Sequence, residues 1–496
     1  MHQTASSPLT AGVTFEGNDF AKLLKQEFRP TSDTALGEVE RAVQTLARQA
    51  LGDAQLIGSD VVKTIDAMLA ELDRQLSAQL NQILHHPEFQ RLEGAWRGLH
   101  HLVSHTETGM RQKIRVMNVG KGELAKSLKR FKGMNWDQSP LFKRIYEEEF
   151  GQFGGEPFGC LVGDYHFDHS PADVEMLGEM AKIAGSAMAP FIAGAAPSVM
   201  GMQSWRELSN PTDLGKIFTT PEYAAWRSLR ESDDSRYLAL AMPRFLARQP
   251  YGAKGNPVDD FHFEEELGAG EDGQFTWANA AYAMAANITR SFAEHGWCSQ
   301  IRGVESGGAV TGLPTCTFPT DDGGVDLRCP TEIAISDRRE MELAKAGFMP
   351  LSHRKNTDVA AFIGAQSLQR PAEYDDADAS ANAALAARLH YLFATCRFGH
   401  YLKCIVRDKI GSFTDRESME RWLQDWVMQY VDGDPAQSTE SEKARKPLAD
   451  ARVEVLEVEG QPGYYTSKFY LRPHYQLEGL TVSLRLVSKL PTVARA

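Results

Sequence analysis

The chain has 496 residues, a formal net charge of −13 at pH 7, 42% hydrophobic residues and 24% charged residues. That is ordinary globular usage, and the length allows two or three domains with a substantial core. So acidic a surface repels phosphate backbones and anionic lipid, which argues against nucleic acid and against direct membrane insertion. The six cysteines, Cys160, Cys298, Cys316, Cys329, Cys396 and Cys404, form no CxxC pair and read as reduced thiols. Residues 1–14 lack a basic stretch followed by an apolar one, and the longest apolar run, 184–200, is broken by Pro190 and Pro197. Neither a secretory signal nor a membrane span is expected, which leaves the cytoplasm.

In chain order, residues 1–59 read as an arm. Within it, Phe20, Leu23, Leu24 and Phe28 fall on one face of a short amphipathic helix over 19–28, capped by Asp19 and stopped by Pro30. A helix this short is marginal alone in water and needs a host surface. Leu36, Val39, Val43, Leu46 and Ala50 continue with helical spacing. The run from Val62 to Ile83 predicts a long amphipathic helix ending before Pro87, followed by one carrying Leu92, Trp96 and Leu99.

Further on, the pattern turns to strand, helix, strand. Strands are expected at Ile114, Val116 and Val119, at 158–162, at 191–193 and at 237–242. A helix is expected after Ser170-Pro171-Ala172-Asp173, which has the look of an N-cap with an acid three residues on. Residues 251–274 and 306–330 read as loops. The Pro- and Asp-rich stretch 370–380 reads as a boundary. Helices follow from Leu385 to about Ile410, and after a Thr414/Glu417 capping box that leads to Trp422 and Trp426. Residues 432–447 read as a polar linker. Three strands then close the chain: 453–458 with Val453 and Val455, an alternating stretch with Phe469 and Leu471, and another with Val482, Leu484 and Leu486. A small terminal sheet leaves edges that invite pairing with another chain. The class is mixed α/β (α+β), divided as an arm over 1–59, an α/β domain over 60–371 and a C-terminal domain over 380–496.

Most chemical motifs fail on context. Gly268-Ala269-Gly270-Glu271-Asp272-Gly273 matches GxGxxG, but Glu264, Glu265 and Glu266 precede it where an apolar strand is needed. No P-loop, HExxH or GxSxG occurs. Asp375, Asp376 and Asp378 lack the glycine and final glutamate of a calcium loop, and Glu305-Ser306-Gly307-Gly308 reads as a turn. The most enzyme-like stretch is Asp164-Tyr165-His166-Phe167-Asp168-His169. If extended, Asp164, His166 and Asp168 share a face, and a metal-dependent hydrolase built on them is the alternative function; the plainer reading is polar groups at a strand end. Lys121, Lys126, Lys129, Arg130 and Lys132 read as a solvated basic face.

Several stretches together resemble the large subunit of the type VI secretion contractile sheath, the TssC/VipB family. They are His85-His86-Pro87-Glu88-Phe89, Glu93-Gly94-Ala95-Trp96-Arg97-Gly98-Leu99, Phe153-Gly154-Gly155-Glu156-Pro157-Phe158-Gly159, Gly163-Asp164-Tyr165, Arg302-Gly303-Val304-Glu305-Ser306-Gly307-Gly308, Phe318-Pro319-Thr320-Asp321-Asp322-Gly323-Gly324 and Phe469-Tyr470-Leu471-Arg472-Pro473-His474. The resemblance implies a structural protein, not an enzyme, with no cofactor and no catalytic or metal residue. It implies a core like that of phage tail sheaths, with terminal strands shared between neighbouring copies. The implied partners are a small sheath subunit (TssB/VipA family), an inner tube (Hcp family), a baseplate, and a AAA+ recycling unfoldase (ClpV family) that recognises a helix where Phe20, Leu23, Leu24 and Phe28 lie. On this view the terminal sheet links subunits more than it builds the core, so truncation after Asp450 spares much of the helical content.

Overall fold

The computed structural model describes residues 61–476 apart from 211, 254, 260, 268–273, 320–323, 410–414 and 460–464, together with 34, 37 and 41. The expected arm helix with Phe20, Leu23, Leu24 and Phe28, the third terminal strand with Val482, Leu484 and Leu486, and the GxGxxG match all lie outside the described residues. The chain divides into two compact units, 1–90 with 250–275, and 91–249 with 276–496.

In the first unit, helix α1 (Val61–Leu84) forms where the apolar period predicts it. The described residues within 251–274 form neither helix nor strand, as expected, and are tied to it by polar contacts. The Glu266 N–H donates to the Asn81 carboxamide at 3.1 Å, and His85 meets Glu265 at 3.3 Å. Helix α2 (Pro87–Ser104), most of which belongs to the second unit, opens on a proline, whose missing N–H costs nothing at a first helical position.

The second unit is built on a six-stranded sheet in the order β1-β2-β3-β9-β10-β6. Strands β1 (Leu161–Phe167), β2 (Phe191–Ala195), β3 (Leu238–Met242) and β9 (Phe348–His353) run parallel. Strands β10 (Ala360–Phe362) and β6 (Ala309–Val310) continue it antiparallel, and β4 (Phe245–Leu246) and β5 (Trp277–Ala278) form a separate antiparallel pair. Phe-Ile-Ala-Gly-Ala and Leu-Ala-Leu-Ala-Met are buried at every position because helices cover both faces. Phe191, Ala193, Leu238 and Leu240 pack on one side with helices α4 (Pro171–Ala187), α5 (Ala224–Glu231) and α7 (Asp337–Lys345). Ile192, Ala239, Ala241 and Met349 pack on the other with α6 (Ala280–His295) and α9 (Leu389–Lys409).

Several local expectations change. Residues around Ile114, Val116 and Val119 form no strand; Val116 is 68% exposed, and Tyr165 donates to the Val119 carbonyl at 2.7 Å. The strand expected at 158–162 begins at Leu161 and runs on through Asp164 to Phe167. Ser170 precedes α4 but makes no side-chain cap; the Asp173 carboxylate instead accepts from the Asp168 N–H at 2.9 Å and from Lys121 at 2.7 Å. Within 306–330, residues β7 (Thr317–Pro319) and β8 (Val325–Leu327) form a hairpin, and α8 (Ala377–Ala386) occupies the end of the expected boundary. Helix α10 (Arg416–Met428) is capped by Asp415, which accepts from the Ser418 N–H, and the presumed linker holds α11 (Glu440–Arg445) with a Thr439/Glu442 capping box.

Strands β11 (Leu448–Glu457) and β12 (Tyr465–Pro473) pair antiparallel and close over α10. Val453 and Val455 are 4% and 1% exposed, in one cluster with Phe398, Leu423 and Val427. The terminal sheet therefore builds core of its own. Truncation after Asp450 would strip the apolar cover from α9 and α10.

Candidate assembly site

The Glu93-to-Leu99 stretch divides its residues between two faces of α2. On the inner face, Gly94 passes so close to the backbone of Trp277 that a Cβ would sit 2.4 Å from its carbonyl oxygen. A Cβ on Gly98 would sit 2.4 Å from the Tyr282 ring. Only glycine permits that approach. Between them Glu93 accepts from Arg248 Nε at 2.6 Å, from Arg97 Nε at 2.7 Å and from the Thr276 hydroxyl at 2.9 Å. On the outer face Leu92, Trp96 and Val103 stand in a helical stripe, 57%, 64% and 46% exposed. Periodicity marks Leu92, Trp96 and Leu99 as one apolar face; burial puts Leu92 and Trp96 outside. An exposed apolar stripe of this kind marks an association surface.

The terminal hairpin has two unlike edges. On β11, the Val453 N–H donates to Gln424 Oε1 at 2.8 Å, the Gln424 amide donates to the Ala451 carbonyl at 3.0 Å, and the Val455 N–H donates to Glu420 Oε2 at 2.9 Å. Side chains of α10 thus take the place of a neighbouring strand and close that edge. Because those N–H groups point away from β12, Val453↔Phe469 and Val455↔Ser467 are the non-hydrogen-bonded pairs of the ladder. The backbones of Ser467, Phe469 and Leu471 therefore face the far edge of β12, which carries no further strand among the described residues. Thr466, Ser467, Lys468 and Tyr470 are exposed there. Of the residues expected to link subunits, Val453 and Val455 spend their side chains on their own core, while Phe469 and Leu471 offer backbone. Sequence reasoning missed Glu420 and Gln424; their i,i+4 spacing on one helix face was the available hint.

The enzyme-like stretch does not assemble. Asp164 sits inside beside Asn279 and Tyr282; burial raises its carboxyl above the usual range, and their hydrogen bonds only partly offset that. His166 is held down to about 4 by burial and then by the charges of Arg244 and Lys121. Asp168 turns away, accepting from the Ser170 N–H at 2.8 Å and the Ser198 hydroxyl at 3.1 Å. Among the described residues, no three His, Cys, Asp or Glu side chains are grouped to hold a metal ion. The basic stretch lies on α3 (Lys121–Arg130) and just beyond it, where Lys121 pairs with Asp173 at 2.7 Å and Lys132 with Glu175 at 2.5 Å. In the 302–308 stretch the chain reverses, with the Gly308 N–H donating to the Gly303 carbonyl at 2.8 Å. No helix among the described residues is long and apolar enough to cross a membrane.

Residues 66–369 match the EvpB/VC_A0108 tail sheath N-terminal domain, and residues 378–490 match the EvpB/VC_A0108 tail sheath gpW/gp25-like domain. The type VI secretion system sheath protein TssC1 of Pseudomonas aeruginosa is 69% identical over 484 residues, covering 98% of this chain and 97% of its own. A chain of the anti-feeding prophage baseplate, solved by cryo-electron microscopy, is 10% identical with a TM-score of 0.36, covering 64% of this chain and 65% of its own. That last likeness is too weak to carry an argument. With both parts of the chain matched and the relative covered nearly end to end, the chain belongs to the VipB/TssC family of type VI secretion tail-sheath proteins and is a structural sheath subunit.

Proposed function

We propose that this chain is the large, non-enzymatic sheath subunit that co-assembles in the cytoplasm with a small subunit of the TssB/VipA family. The two form a helical tube around an Hcp-type inner tube, seated on a baseplate. The observation that carries the proposal is the asymmetry of the terminal hairpin: α10 closes one edge, and the other presents the backbones of Ser467, Phe469 and Leu471. An added strand, from residues 481–487 of a neighbour or from the small subunit, holds by backbone hydrogen bonds and needs little side-chain register. Such a joint survives rotation of the domains it connects. If the extended lattice is a trapped, higher-energy state, contraction then proceeds by gain of contacts with no bound nucleotide. The outer stripe of α2 supplies the apolar docking area that a strand joint lacks. The division at about 371–380 separates a body from this linking domain, and an arm helix bearing Phe20, Leu23, Leu24 and Phe28 serves a ClpV-type unfoldase.

The test is electron microscopy of the co-expressed pair. Ser467→Pro removes a donor from the open edge but none from the β11 ladder, so the hairpin persists and tubes are lost. Lys468→Pro breaks the ladder itself and is the folding control. Normal tubes from Ser467→Pro would refute the edge assignment, and absence of tubes from the wild-type pair would refute the sheath assembly.

A further inference from the structure

We propose that the outer face of α3 docks a second copy of this chain, and that the part of the second copy it receives is the acidic turn 373–378. The contact presupposes the sheath assembly proposed above and names two of the surfaces that meet in it. On α3, Leu124 and Leu128 are buried, which turns the opposite face of the helix to solvent. Lys126, Lys129 and Arg130, at i, i+3 and i+4, stand together on that face and are exposed. Lys121 and Lys132, at either end, are neutralised by Asp173 and Glu175. The three cations between them form no ion pair among the described residues. Like charges at that spacing weaken a helix slightly, and an anionic partner removes the penalty. Four residues past Arg130, Met134 is almost wholly exposed.

The turn 373–378 carries the opposite pattern. Glu373, Asp375, Asp376 and Asp378 are exposed, and they too form no ion pair among the described residues. They flank Tyr374, whose ring is also exposed. The turn is held in shape. The Tyr374 N–H donates to the Ser380 hydroxyl at 2.8 Å, and the Asp376 carboxylate accepts from the Asp378 N–H at 3.0 Å at the start of α8. A preformed turn loses little entropy on docking. Cations with a methionine on one surface and carboxylates around a tyrosine on the other match in charge and in apolar content, and Tyr, Met and Arg are residues that interfaces favour.

The charge balance of the chain selects a second copy as the occupant. At −13, copies repel one another over their surfaces as a whole. Close packing of many copies therefore needs opposite charges to meet locally. The two signs sit on different segments, so the contact is head-to-tail: α3 of one copy meets 373–378 of the next. A contact of that kind leaves one unused surface at each end, and it grows an open helical array where the rotation does not close a ring.

The test uses tubes of the full-length chain co-expressed with its small subunit. Zero-length carbodiimide cross-linking of wild-type tubes should yield a covalent dimer of the large chain in which Lys126 or Lys129 is joined to a carboxylate of 373–378, read by peptide mass spectrometry. Reversing α3 with Lys126→Glu, Lys129→Glu and Arg130→Glu should lower the tube yield in electron micrographs at least about tenfold. Glu373→Lys, Asp375→Lys and Asp378→Lys, which spare the cap residue Asp376, should do the same. All six substitutions together should restore the yield to within about threefold of wild type. Should a reversed chain fail to fold, the cross-link in wild-type tubes decides alone. A dimer without that link, a link from α3 to the small subunit in its place, or folded reversals that are harmless singly or unrescued together would overturn the proposal. If the wild-type pair forms no tubes, the sheath reading falls with it; tubes that show neither link nor rescue sink this contact alone.

Discussion

Glu93 is the place where a single atom change has a calculable effect. Its side chain is 10% exposed and that of Arg248 5%, with 2.6 Å between them. Glu93→Ala strips this carboxylate from a guanidinium held inside the protein. Breaking a buried pair from one side costs about 3–5 kcal/mol, and since Arg248 also donates to the Gln249 carbonyl at 3.3 Å the lower end applies. The Arg97 pair, with Arg97 38% exposed, adds at most about 1 kcal/mol. Glu93→Gln keeps one acceptor oxygen but loses the other and the charge, at about 2 kcal/mol. Hydrogen exchange of peptides covering 91–104 reads the local opening: about 3 kcal/mol is roughly 150-fold faster exchange for the alanine variant. The effect depends on pH with a definite sign. Burial alone would raise the Glu93 carboxyl, but the hydrogen bond and charge of Arg248, then Arg97 and Thr276, outweigh it and hold it below the usual glutamate range. A lowered folded value gives stability that is full above the unfolded glutamate value of about 4.3 and fades as pH falls through the folded one. The gap between wild type and Glu93→Gln should therefore close in acid. An alanine variant that exchanges less than about fivefold faster, or a gap independent of pH, refutes the account of this buried node.

Gly98→Ala forces a Cβ to within 2.4 Å of the Tyr282 ring and should cost about 1–3 kcal/mol. Gly122→Ala meets open space and should shift stability by under about 1 kcal/mol; thermal melts of the two, side by side, check both. Trp96→Glu should leave the melt unchanged, because the indole is 64% exposed, yet abolish tubes with the small subunit. Replacing Phe20, Leu23 and Leu24 with Ser should weaken unfoldase binding in a pull-down with the AAA+ partner while sparing tubes, since burial of that apolar face drives the docking. Unchanged affinity would remove the arm from recycling.

Local chemistry by itself determined much of this protein. The apolar period of α1 and the buried runs of β2 and β3 declare themselves in the residues. So do the proline that opens α2 and the alternation through Phe469 and Leu471. Long motifs were enough to suggest the sheath family. Tertiary structure decided which side of each element does what. Period alone gives Leu92, Trp96 and Leu99 one face, but only the approach of Trp277 and Tyr282 to Gly94 and Gly98 says which face is taken. Alternation gives β11 and β12, but only the reach of Glu420 and Gln424 from α10 closes one edge and leaves the other. Asp164 and His166 lie on β1 and Asp168 just past its end, yet they part because the turn before α4 claims Asp168 and the core claims the others. The reason is common to all three. Sequence pattern carries spacing along one element, whereas burial and edge pairing depend on residues that other elements of the fold bring alongside.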